Sequence, residues 1–111
     1  MGVIWGNVKF TGPYPIKSWI PIYQPGLYAI MYKPKPTSDP SIYSVIYFGK
    51  SSNLSDREFY RLHPKYECWI KKTGSENNLY IGIHLMPNSI EEKRNKIAED
   101  LVNILKPICN D

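Results

Sequence analysis

No run of this sequence stays apolar for the roughly 20 residues that a membrane-spanning helix requires. Residues 1–10 hold no basic start followed by a continuous apolar stretch, so a secretory leader is not expected. Gly6 stands where a myristoylation signal carries Ser or Thr, and a lipid anchor is not expected either. Cysteine is scarce: Cys68 and Cys109 lack metal-site spacing and are too few for a disulfide framework, so they read as reduced thiols of a cytoplasmic protein. There is no internal repeat and no low-complexity segment.

What is present suits one domain. A chain of 111 residues can bury one core but has no room for a catalytic domain beside a separate recognition domain. With 42% hydrophobic and 22% charged residues, it is neither disordered nor fibrous in composition. Fourteen Lys and Arg against ten Asp and Glu give a charge of +4, a mild bias toward polyanionic partners that by itself decides nothing.

Residues 1–24 are rich in Pro, Gly and aromatics and predict an extended lead-in whose Trp5, Phe10 and Trp19 cover an edge of the core. Residues 26–32 and 42–49 predict two strands joined by a Pro-rich loop over 33–41. The cap types Ser51, Ser52 and Asn53 introduce a helix over 54–62, a second short helix covers 66–72 before Gly74, and 79–86 predicts a third strand. Ser89 with Glu92 reads as a capping box for a final helix whose apolar stripe is Ile90, Ile97, Leu101, Ile104 and Leu105, stopped by Pro107. The expected fold class is α/β (α+β), with a small, mainly antiparallel three-stranded sheet flanked by helices.

The chemistry concentrates after the second strand. Gly49 opens the turn 50–53, from which a helix carrying Arg57 and Arg61 is expected. Backbone N–H groups at a helix start and nearby guanidinium groups both favour phosphate oxygens, although a basic helix face is also compatible with plain solvation.

Gly26-Leu27-Tyr28 on one strand, Tyr47-Phe48-Gly49 on the next, Arg57 beyond that glycine, then Glu99, Pro107 and Asn110 in order resemble the GIY-YIG endonuclease family, over residues 25–110. The resemblance implies a hydrolase of nucleic-acid phosphodiesters, DNA more than RNA, using one divalent ion, Mg²⁺ or Mn²⁺. It implies that Tyr28 and Tyr47 lie near the attacking water, with Tyr28 as general base. A phenol with its reference pKa of about 10 needs a nearby cation for that role, and Arg57 is the expected neighbour. Arg57 would also neutralise charge on the phosphoryl group. Glu99 is the implied metal ligand, Lys50, Arg61 and His63 line the backbone path, and Asn110 supports the site.

The sequence departs from the family pattern at the final helix. One residue fewer separates Glu99 from Pro107, and Leu101 and Val102 stand one position earlier relative to the glutamate than the family's aliphatic pair. Depending on where that residue is lost, Glu99 keeps its register or turns by about 100° toward solvent, with Glu92 and Asp100 as the nearest substitutes. The alternative function is a catalytically inactive nucleic-acid-binding or protein-interaction domain on the same fold. A lone catalytic domain reads little base sequence, so a homodimer or a targeting partner protein is expected, and no membrane partner.

Overall fold

The computed structural model describes residues 2–34 and 43–110. Five strands form one sheet: β1 (Gly2–Trp5), β2 (Val8–Pro15), β3 (Gly26–Tyr32), β4 (Ser44–Ser51) and β5 (Tyr80–Leu85), in the order β1-β2-β5-β3-β4. Every pairing is antiparallel. Two helices, α1 (Tyr66–Thr73) and α2 (Glu91–Leu105), complete an α+β fold.

The expected three-stranded sheet is therefore corrected to five strands. The segment expected as an unpaired lead-in supplies the other two, because Gly6 and Asn7, at φ 52° and 70°, form a two-residue turn that folds Trp5 back onto Val8. Positive φ at both central positions matches the right-handed strand twist, and Gly and Asn tolerate it. β2 then continues past the hairpin to pair with β5.

β3 is apolar throughout because it is buried on both faces. Tyr28 and Ile30 join a core with Trp19, Ile46, Tyr60 and Trp69 on the α1 side. Leu27, Ala29 and Met31 join another with Phe10, Phe48, Ala98 and Leu101 beneath α2.

Three further expectations change. The helix over 54–62 is absent; only Phe59–Leu62 turns, as a 3-10 helix. Leu54 instead bridges the N-terminal arm, its N–H donating to the Gln24 carbonyl at 2.9 Å and its carbonyl accepting from Ile22 N–H at 2.8 Å. The Asp56 carboxylate accepts from Glu58 N–H at 3.0 Å, closing a local turn that competes with helix. The capping box does not form, since Ser89 Oγ accepts from Arg94 Nη1 at 2.9 Å and Ile90 occupies the cap position. The buried face of α2 is Arg94, Ala98 and Leu101, while Ile90 and Ile104 are exposed.

Cys68 of α1 and Cys109 near the C-terminus form a disulfide, not the two free thiols expected. The bond joins elements 41 residues apart in sequence, a pairing that sequence spacing does not disclose. Of the expected Pro-rich loop and the start of the second strand, residues 35–42 lie outside the described residues. Among the described residues no helix is long and apolar enough to cross a membrane.

Candidate active site

Tyr28 of β3 is paired across the sheet with Gly49 of β4, and Ile30 with Tyr47. Side chains alternate along a strand, so both tyrosines project from one face, and the Tyr28 ring fills the space above Gly49. That glycine is required: a Cβ at position 49 would overlap the Tyr28 phenol, both its ring carbon Cζ and its hydroxyl. The two tyrosine rings stand 6.1 Å apart between centroids.

An aromatic group supports the pair from the α1 side. Phe59 meets Tyr28 edge-on at 4.9 Å, His63 meets Tyr47 edge-on at 5.0 Å, and Trp69 lies 4.7 Å from His63. Trp69 is fully buried, so the imidazole and Tyr47 rest on a fixed wall.

Beside the open edge of β4 lies a cavity of about 420 Å³ lined by Tyr28, Tyr47, Lys50, His63, Glu99 and Asn110, with Asn95, Ala98 and Val102 of α2 completing the wall. The structure thus brings together six of the residues singled out in the sequence. Glu99 is exposed on α2 yet forms part of this wall, the only carboxylate among the lining residues. Asn95, missed in the sequence, sits one turn before Glu99 on the same side of the helix; its i, i+4 spacing from the glutamate is the signal that finds it.

Two expected residues lie elsewhere. Arg57 does not line the cavity; its side chain is exposed, and its backbone carbonyl accepts a 2.9 Å hydrogen bond from Trp19 Nε1. Arg61 is held by Glu58 at 2.6 Å and Glu76 at 3.2 Å and is not among the residues that line the cavity. Both positions follow from the loss of the helix that was to carry them.

Asn110 acts on the backbone. Its Oδ1 accepts from Phe48 N–H at 2.8 Å and its Nδ2 donates to the Phe48 carbonyl at 2.9 Å. The amide occupies hydrogen-bonding groups that an edge strand otherwise leaves open, and it fixes β4 between Tyr47 and Gly49.

The electrostatics reverse one expectation. Tyr28 is 5% exposed, and burial first, then the neighbouring Tyr47, raises its pKa well above the ordinary phenol value. No lowering by Arg57 operates on it. Tyr47 is also raised by burial, partly offset by its interaction with Tyr28, so both hydroxyls keep their protons at neutral pH and act as donors. Burial, with the Lys65 charge nearby, lowers His63 below the usual imidazole value. His63 Nδ1 accepts from Lys65 N–H at 3.0 Å, which puts the proton of the neutral ring on Nε2.

Among the described residues no group of three or more His, Cys, Asp or Glu side chains gathers to hold a metal. The lining offers one carboxylate, the two amides of Asn95 and Asn110 and two phenols, an oxygen-rich set that fits a hard cation sharing its remaining ligands with water and phosphate oxygens. Chemically the cavity can take an anion on donors from Tyr28, Tyr47 and Lys50, with one carboxylate in the same lining. No family model, curated protein or solved structure matches the chain.

Proposed function

We propose that this protein is a metal-dependent endonuclease that hydrolyses nucleic-acid phosphodiesters, DNA in preference to RNA. The observation that carries the reading is the cavity whose lining combines Tyr28 and Tyr47 with Glu99, Lys50 and His63. Glu99 would hold Mg²⁺ or Mn²⁺, which when bound lowers the pKa of the attacking water and neutralises phosphate charge. Tyr28 and Tyr47, held protonated by burial, donate to non-bridging oxygens, and His63 Nε2–H is a third donor. The ammonium of Lys50 adds the positive charge that the sequence reading gave to Arg57.

One carboxylate is a weak hold on a divalent ion, so metal and nucleic acid bind cooperatively in this reading. In this reading cleavage follows nucleic-acid shape, a second copy of the chain or a targeting partner. The expectation of a cytoplasmic location rests on free thiols, and the Cys68–Cys109 bond removes that support.

A second reading, a binding domain without hydrolysis, is favoured by one observation, the position of Arg57 outside the cavity. Nicking of supercoiled plasmid separates the two. The nuclease reading expects Mn²⁺-dependent nicking that a chelator abolishes and that Glu99→Gln reduces by at least ~10²-fold. Plasmid retention in a gel shift without nicking by the wild-type chain supports the binder.

A further inference from the structure

The wall of the cavity continues into a second hollow of about 280 Å³, lined by Lys50, Ser51, Ser52, Glu91, Arg94 and Asn95. Lys50 and Asn95 line both spaces. The two hollows follow one groove: β4 contributes residues 47–50 to the first and Lys50 and Ser51 to the second, where Ser52 just past the strand joins them. Along α2, Glu99, Asn95 and Glu91 succeed one another at i, i+4 spacing, so the step from Glu99 to Asn95 is about 6 Å, on the order of one nucleotide.

The second hollow is built around a buried cation. Arg94 is 7% exposed, the one buried charged residue among the described residues. Its Nη1 donates to the Ser89 carbonyl at 2.7 Å and to Ser89 Oγ at 2.9 Å, which fixes the orientation of the guanidinium. Among the described residues no carboxylate lies within ion-pair distance of it, and its Nε and Nη2 have no protein partner. Neither atom is sealed from solvent without a partner. A guanidinium held in a wall with its remaining donors unused favours an oxyanion. Lys50 supplies a second positive charge and Ser52 adds a hydroxyl and an N–H, while the Ser51 hydroxyl already donates to the Asn53 carbonyl at 2.9 Å; against them stands one carboxylate, Glu91, which is exposed.

We infer that this hollow binds the backbone phosphate adjacent to the one held at Tyr28 and Glu99, through Arg94, Lys50 and Ser52. The inference rests on the nuclease reading for the polarity of the groove, and it makes Arg94 a binding residue.

The test uses deoxythymidine 3′,5′-bisphosphate and the 5′-monophosphate in the presence of Ca²⁺, with calorimetry for affinity and amide chemical shifts for location. The bisphosphate is expected to bind at least ~10-fold more tightly than the monophosphate and to shift the amides of Ser51, Ser52 and Asn95. Ser52→Glu, at an exposed position that leaves the fold intact, and Arg94→Gln are each expected to abolish that preference while monophosphate affinity stays within error. Equal affinities, shifts confined to the surroundings of Tyr28 and Tyr47, an unchanged preference in Ser52→Glu, or no binding of either nucleotide overturns the inference. Plasmid nicking by the same preparation reports on the nuclease reading separately. A bisphosphate preference without nicking supports the second hollow on a non-hydrolytic domain, and nicking without a preference overturns the second hollow alone.

Discussion

A missing side chain sets the geometry of the cavity: Gly49 leaves the room that the Tyr28 ring fills. Gly49→Ala is expected to displace the phenol and to lower nicking by roughly 10²-fold, the scale on which an ångström of misplacement acts. Circular dichroism and a thermal melt on the same variant check that the fold persists. Asn110→Ala removes both side-chain bonds to Phe48 and leaves edge groups of β4 unpaired, at an expected cost of about 1–3 kcal/mol in urea unfolding. Away from the cavity, the Tyr66 hydroxyl donates to Glu76 at 2.6 Å, and this bond, with the charges of Arg61 and Lys17, holds the carboxyl below its ordinary value of 4.5. A depressed carboxyl pKa contributes stability that is complete above the unfolded value and lost as pH falls through the folded one. The urea midpoint is therefore expected to fall as pH drops below 4.5, and to fall less steeply in Tyr66→Phe.

Among the elements, those with local and repeated signals were legible in the sequence. β3, β4 and β5 show as aromatic and aliphatic runs, and α1 ends at Gly74, which takes the left-handed conformation at φ 85°. The pairing of Tyr28 with Gly49 follows from the two tripeptides once their strands adjoin, and Glu99, exposed on α2, is among the residues that line the same cavity. What the sequence hid depends on distant partners. Residues 54–58 carry helix-compatible types, but the bridge from Leu54 to Ile22 holds the chain extended, and Arg57 and Arg61 leave the site with the lost helix. β1 and β2 carried a readable signal in Gly6-Asn7 between alternating apolar residues, outweighed by the prolines that follow. At the start of α2 the competing partner is local: Ser89 has the side chain of a cap, but its hydroxyl accepts from Arg94, five residues on.

At the scale of the whole molecule the disulfide is the principal long-range tie. It joins α1, whose Trp69 supports His63 and Tyr47, to the C-terminal turn, whose Asn110 fixes β4. Two walls of one cavity are thereby held by a covalent bond as well as by packing. Across a separation of 41 residues, the chain-entropy account gives about 4 kcal/mol of stabilisation. Cys68→Ser with Cys109→Ser, or full reduction, is expected to lower the unfolding free energy on that scale, and thiol titration of the native protein without reductant is expected to find no free sulfhydryl. Covalently the protein is a ring with a long tail: residues 68–109 close a loop that contains β5 and the whole of α2, and residues before 68 trail from it. A protease that cuts once between residues 68 and 99 opens the ring without releasing a fragment, so the piece bearing Glu99 stays attached to the piece bearing the tyrosines until a reductant is added. A cut before residue 68 divides the chain at once.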